Sequence, residues 1–247
     1  MAGPDSYRPA EYWRDRLTQN FNLRGVGHLA YSVSYNRWLY RAKARALRQA
    51  VKAVPRAAPA LDLGSGTGWV LEQLIGLGFS PEGCDLDQEL VDRLAPLLSR
   101  PMPLFACHLG REAVPRPDAT YGLVTMLDVA YHITDDTEWR YAVAEITRVL
   151  APGGVLVCSD GFGPATVQEA GHVRFRSLGQ WQAAAGEAGL AVETVQPYFR
   201  WLSRPRGGPL ARVPGFVRGP VEYALERTVP RPPYLRYAVL RRRSASR

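Results

Sequence analysis

The sequence predicts an α/β protein built on a doubly wound parallel sheet. Two observations carry that expectation. From residue 60 onward short apolar runs alternate with helical stretches: "ALDL", "VLEQLIGLG", "SPEGCDL", "QELVDRLAPLL", "PLFACHL", "YGLVTMLDV", "EWRYAVAEITRVL" and "GVLVCSD". Runs of this kind are strands covered on both faces, joined by crossover helices. The first strand also runs straight into "DLGSGTG", where Gly64, Gly66 and Gly68 give up their side chains at the junction with a helix. A chain of 247 residues, 46% of them hydrophobic, is long enough to close such a sheet around one sizeable core.

Ahead of the first strand, Trp38, Leu39, Ala42, Ala46, Leu47, Ala50, Val51 and Val54 recur at helical spacing, and Pro55 stops the pattern. The segment around this helix is aromatic-rich, with Tyr7, Tyr12, Trp13, Phe21, Tyr31, Tyr35, Trp38 and Tyr40. Residues 1–54 therefore read as an N-terminal helical cap, some rings packing it onto the sheet and others closing a site against water. Residues 55–247 form the main domain. After the fifth strand, "RSLGQWQAAAGEAGL" reads as a helix closing on Gly189 and "AVETVQPYF" as a strand. A Pro/Gly-rich stretch from Arg204 to Pro220, a short helix near Val221 to Arg227 and a final strand "YLRYAVLRRR" complete the chain. Two late strands joined by a lid-like excursion around residues 200–230 fit an antiparallel pair at the sheet edge.

At the end of the first strand the backbone must turn sharply and let a ligand come close, which glycine permits because it lacks a Cβ. The helix that follows points free N–H groups at whatever binds there. The spacing G-S-G-T-G departs from the G-x-G-x-x-G of dinucleotide sites. Asp62 inside the motif would also repel a pyrophosphate, while it suits a cation or an amino group. Asp85 ends the second strand about 20 residues on, where a carboxylate accepts the two hydroxyls of a ribose; its plainer role is to cap the next helix. Turn and acid together make a nucleoside site.

The formal charge of +8 is unevenly spread: residues 1–199 hold 19 Arg+Lys against 21 Asp+Glu, and residues 200–247 hold 12 against 2. A basic tail of this kind is a solvated face, or serves an anionic substrate or membrane surface at the mouth of the site; duplex nucleic acid is the least favoured partner. No run reaches the roughly 18–20 apolar residues of a membrane span, and the N-terminus lacks the apolar core of a signal peptide, so a soluble cytoplasmic protein is expected. Cys84, Cys107 and Cys158 are scattered and read as buried thiols rather than a disulfide frame or metal site.

These residues, with "VTMLDVAYHI" and "EITRVLAPGGVLVCSD" further on, resemble the class I S-adenosylmethionine-dependent methyltransferases over about residues 55–160. The resemblance implies a Rossmann-like seven-stranded sheet with an antiparallel last strand, and S-adenosylmethionine as cofactor. It implies that Asp62, Gly64, Ser65, Gly66 and Gly68 hold the methionine part, that Asp85 holds the ribose, and that Leu86 packs the adenine. His108 and Leu109, after Cys107, would lie by the adenine edge, where relatives often carry an acid that "ACHLG" lacks, leaving backbone groups as substitutes. Asp128 at the end of the fourth strand completes the cofactor set. The stretch "FNLRGVGHLAYSVSYNRWLYRAKARAL" looks like a cap found in a bacterial branch of these enzymes.

Methyl transfer is an in-line displacement at a sulfonium, so positioning carries roughly 7–11 kcal/mol of the work. A hydroxyl nucleophile also needs a proton acceptor. His132, with an ordinary pKa of about 6.5, is the candidate base, and Asp160, in the flexible turn Asp160 to Gly163, the second catalytic candidate; each has a packing or capping role as its alternative. Tyr31, Tyr35, Tyr131, Phe162 and Arg174 are the candidate acceptor contacts, and no metal site is expected. The favoured function is O-methylation of a small metabolite, sugar or natural-product intermediate. The alternatives are N- or C-methylation of an anionic or lipid-linked acceptor held by the basic tail, and a cofactor fold put to non-methylating use. RNA methylation is disfavoured, since neither an appended basic domain nor an "NPPY"-like motif is present.

Overall fold

The structure, a computed structural model, describes residues 7–203 and 213–244. Its centre is β1 (Ala60–Leu63), buried at every position because parallel neighbours flank it: β2 (Pro81–Asp85) on one side and β4 (Tyr121–Met126) on the other. β3 (Leu104–Ala106) extends the sheet beyond β2, and β5 (Leu150–Asp160) runs parallel to β4. The last strand, β9 (Leu235–Arg242), inserts between β5 and β8 (Leu190–Phe199), antiparallel to both. The order β3-β2-β1-β4-β5-β9-β8 is the expected seven-stranded sheet with its antiparallel last strand. The order in which strands are added reverses between β1 and β4, which opens a crevice at the carboxyl ends of these parallel strands.

Two apolar layers cover the sheet. One packs α5 (Asp136–Val149) and α6 (Leu178–Ala188) through Trp139 and Trp181; the other packs α2 (Val33–Ala50) through Tyr35, Leu39, Leu47 and then Val51 onto Val155 and Tyr237. α3 (Trp69–Gly76) and α4 (Gln88–Leu94) follow β1 and β2, and α1 (Pro9–Gln19) lies ahead of them all. Side-chain caps start the helices: Ser32 for α2, Asp87 for α4, Asp135 for α5 and Ser177 for α6 each accept from N–H groups of the first turn. Cap and sheet thus divide differently from the expected boundary at residue 54. α2 is a layer of the main core, and only α1 and the loop after it lie over the crevice.

The differences from expectation have local causes. α2 begins four residues before Arg37 because Ser32 caps it. At "LAPGG" the strand β5 bulges: Leu150 faces Tyr121 and Val155 faces Leu123, with Gly153 left-handed at φ 76°. A small hairpin, β6 (Val167–Ala170) with β7 (Val173–Phe175), escapes sequence reading because its strands are short and mostly half-exposed. α7 (Gly215–Thr228) contains Pro220, which the periodicity takes for a boundary; residues 204–212 of the expected excursion lie outside the described residues.

Arg241 and Arg242 of the basic tail turn away from the crevice. β9 runs antiparallel, so Arg241 faces Val155 rather than the ligand edge, pairs with Glu193 at 2.5 Å, and is followed by Arg242, which donates to the Leu150 carbonyl. This removes Arg241 to Arg243 as an anion-binding face at the mouth. Among the described residues no helix is long and apolar enough to cross a membrane.

Candidate active site

The backbone turns left-handed at Gly64 (φ 76°) and Gly66 (φ 54°) as β1 ends. A Cβ at Gly64 would overlap Val129 Cγ2, and one at Gly66 would come within 2.8 Å of Val26 Cγ1. Glycine is required twice over, by conformation and by close approach. β2 holds the turn: Gly64 N and Ser65 N donate to the Cys84 carbonyl at 2.8 and 2.9 Å. Asp85 Oδ2 accepts from Gly66 N at 2.6 Å and Oδ1 from Leu86 N at 2.7 Å. Asp85 therefore braces the turn as well as facing the crevice, and burial raises its carboxyl above the usual range against the pull of those two N–H groups.

Asp62, 1% exposed, is held on one side only. Thr125 Oγ1 donates to its Oδ1 at 2.7 Å, while Oδ2 is buried without a partner. Burial pushes this carboxyl up to about 7. An orphaned carboxylate oxygen at the head of a glycine turn is an unmet demand for a donor, and an ammonium group meets it.

Gly64, Ser65, Gly66, Asp85, Leu86, His108, Leu109 and Asp128 all face one cleft of about 1120 Å³, its open mouth included. Tyr7, Trp13 and Leu17 from the α1 region, with Val26, form its roof. The roof is fastened to the wall opposite: Arg14 pairs with Asp87, the cap of α4, and the Arg93 guanidinium lies 4.6 Å over the Phe21 ring. Of the predicted cofactor residues, two do not line the cleft: Asp62 is buried behind the turn, and Gly68 is the N-cap of α3, where a Cβ would strike Leu94 and Leu98. At the adenine edge the backbone N–H groups are engaged, His108 donating to Glu112 Oε2 at 2.9 Å and Leu109 to the Cys107 carbonyl at 3.0 Å, so they do not substitute for the missing acid.

Residues 60–154 match the sequence profile of a family described as a methyltransferase domain. The chain carries a class I S-adenosylmethionine-dependent methyltransferase domain. YcgJ, an uncharacterised methyltransferase of Bacillus subtilis, is 27% identical over 170 residues, 58% of this chain and 64% of that protein, so the chain spans just under two thirds of that relative's length. Human methyltransferase-like protein 27 is 28% identical over 210 residues, 74% of this chain and 83% of that protein. The crystal structure of Burkholderia thailandensis 1,6-didemethyltoxoflavin-N1-methyltransferase, bound to 1,6-didemethyltoxoflavin and S-adenosylhomocysteine, has the same fold, with a TM-score of 0.58 at 16% identity over 99% of this chain and 92% of that one. S-adenosylmethionine fits the methyltransferase domain's residues, which offer the unpartnered Asp62 oxygen, a cradle that a Cβ would fill, and the Asp85 carboxylate.

The far end of the methyltransferase cleft is built from side chains. Asp128 follows β4 with φ 62° and takes the Lys43 ammonium on Oδ2, with the Tyr131 and Ser159 hydroxyls on Oδ1 at 3.1 and 3.2 Å. Burial would pull Lys43 down, but Asp128 and Tyr40 outweigh it, and the ammonium titrates above its usual value. Lys43, Tyr40 and Tyr198 all line the cleft. Lys43 and Tyr198 are absent from the sequence-based set, although a lysine in the apolar stripe between Leu39 and Leu47 was a readable signal.

His132 lines the cleft beside Trp13, the two rings edge to face at 4.8 Å. Its Nδ1 lies 2.7 Å from the His172 carbonyl, which fixes the proton on Nδ1 and leaves Nε2 as the acceptor. Burial pushes its pKa down to about 3, so the ring is neutral at physiological pH and a weaker base than the sequence implied.

Six other expectations are corrected. Asp160 is wholly buried and consumed by structure: it accepts from Gly161 N at 2.6 Å, Arg176 N at 3.0 Å and Trp181 Nε1 at 2.8 Å, away from the cleft. Phe162 packs on Trp181 in the core. Tyr35 donates to Glu222 of α7, and the Tyr31 ring packs tilted against Tyr35 at 4.4 Å beneath Arg218. Arg174 pairs with Asp136 at 2.9 Å. Tyr131 sits behind Asp128 against Phe175 and steadies the floor without lining it. Arg176, wholly buried, donates to the Ala130, Ile133 and Asp135 carbonyls and so pins the loop that carries His132.

Proposed function

We propose that the protein is a soluble cytoplasmic enzyme that methylates an oxygen of a small molecule, with α1 and the loop after it, the part of residues 1–54 that lies over the cleft, serving as its cap. The observation that carries this reading is the unpartnered Asp62 oxygen at the head of the glycine turn, directly behind a cleft of small-molecule size. When bound there, S-adenosylmethionine supplies an electrophilic methyl group on a sulfonium. Asp62 takes the ligand's ammonium, Asp85 its ribose hydroxyls, and Leu86 and Leu109 flank its base. Trp13, Leu17 and Tyr40 exclude water from the far end. There His132 Nε2 would accept the hydrogen bond of an acceptor hydroxyl, orient its lone pair and take the proton as the new oxygen–carbon bond forms, passing it on to solvent.

A nitrogen acceptor is the second reading. It is favoured by the toxoflavin N1-methyltransferase fold and by a neutral His132 that serves an N–H equally well. The deciding experiment is thermal denaturation with S-adenosylmethionine and S-adenosylhomocysteine, in which both raise the melting temperature of the native protein and neither raises that of Asp62→Asn to the same extent. Absence of any shift in the native protein overturns the proposal.

A further inference from the structure

Lys43 and Tyr198 line the cleft, and the cofactor contacts proposed above use neither. Lys43 is only 5% exposed, and an ammonium carries three N–H donors. Asp128 takes one. The Asp128 carboxylate is itself filled, with Lys43 on one oxygen and the Tyr131 and Ser159 hydroxyls on the other. Its negative charge is thus spent inside the protein, while Lys43 keeps donors to give. The Tyr198 hydroxyl, on β8, is buried and has no hydrogen-bond partner, in a residue 4% exposed. The two groups are neighbours: Lys43 Nζ stands 6.0 Å from the Tyr198 ring centroid and 4.4 Å from that of Tyr40. This corner offers the Lys43 ammonium and the Tyr198 hydroxyl as donors against an aromatic wall, and its Asp128 carboxylate is already engaged.

We infer that Lys43 and Tyr198 anchor the methyl acceptor by an anionic oxygen, a carboxylate or phenolate on a small aromatic-sized molecule lying against Tyr40. The inference rests on the methyltransferase reading only for the word acceptor; the anion subsite stands on its own geometry. Asp128 and Tyr131 are positioning residues that hold the ammonium in place. A carboxylate has a second source in the cofactor's own amino-acid group, and the experiment separates the two.

Benzoate and its neutral analogue benzamide are titrated calorimetrically into the protein, free and saturated with S-adenosylhomocysteine. Native protein should bind benzoate about tenfold more tightly than benzamide, as a charge-assisted bond requires. Lys43→Met should abolish that preference and Tyr198→Phe should reduce it about threefold, both leaving the affinity for S-adenosylhomocysteine within about twofold. Equal binding of the two probes overturns the inference. So does a loss of about tenfold in S-adenosylhomocysteine affinity in Lys43→Met with 5′-methylthioadenosine binding unchanged, since the oxygen then belongs to the cofactor. Should Lys43→Met fail to fold, Lys43→Met/Asp128→Asn removes both charges together and Tyr198→Phe removes a single oxygen. Failure of the native protein to bind S-adenosylhomocysteine overturns the methyltransferase reading alone, because the benzoate arm on free protein still tests the subsite.

Discussion

The two ends of the cleft are built on opposite plans. The end that fits the cofactor is made largely of main chain: a left-handed turn between β1 and α3, carbonyl and amide groups braced by Cys84 and Asp85, all within residues 62–86. The far end is made of side chains drawn from α1, α2, the loop after β4 and β8, so that Trp13, Lys43, His132 and Tyr198 meet across most of the chain. A main-chain cradle accepts one shape and resists substitution, because each change strains backbone. A side-chain corner is set by rotamers and charges, so it is open to change and its partners fail in pairs. The cradle suits what every turnover shares, and the corner suits what distinguishes one acceptor from another.

Lys43→Met is the harshest test of this contrast. It strands a mostly buried carboxylate, at a cost of about 3–5 kcal/mol in chemical denaturation, and Asp128→Asn in the same chain should return most of it. Single losses that sum without coupling would show that the corner is not a charge pair. Gly64→Ala comes next, since strain at φ 76° and overlap with Val129 should together cost about 1–3 kcal/mol and remove cofactor binding. His132→Ala should lower kcat about a hundredfold while the cofactor Kd stays unchanged, the low end for a positioned acceptor because the ring is a weak base.

Asp62 gives a pH signature. Its folded carboxyl titrates near 7, above the unfolded value of 3.8, so the associated stability is full below 3.8 and is lost as pH rises through 7. The free native protein should lose melting temperature over that window relative to Asp62→Asn. Cofactor affinity should run the other way, weakening up to about tenfold per unit as pH falls below 7, in calorimetry of the native protein but not of Asp62→Asn. The smallest effect belongs to Arg241→Gln, which breaks a half-exposed pair with Glu193 and should cost about 0–1 kcal/mol without altering acceptor KM at any salt concentration.

The same contrast explains how much was legible in the amino-acid sequence. The glycine turn, Asp62, Asp85 and the seven-stranded sheet were readable because each is a local pattern whose geometry follows from a few consecutive residues. Asp160 was misread for a physical reason: an acid at the end of a central strand faces the ligand edge unless something claims it, and here Trp181 and the Arg176 amide, sixteen and more residues away, do so. Tyr35 and Arg174 were claimed in the same way, by Glu222 and Asp136. Tyr198 was invisible because nothing in "QPYF" tells that β8 ends beside α2, whereas Lys43 did carry a signal, a charge on the buried face of an amphipathic helix.

Val26 presses on Gly66, and Arg14 clasps Asp87 on the facing helix. The segment that shuts out solvent is thereby bolted to the very loop that receives the nucleoside. Exchange of fresh for spent nucleoside would require this clasp to open, which places α1 as a turnstile at the mouth of the cleft.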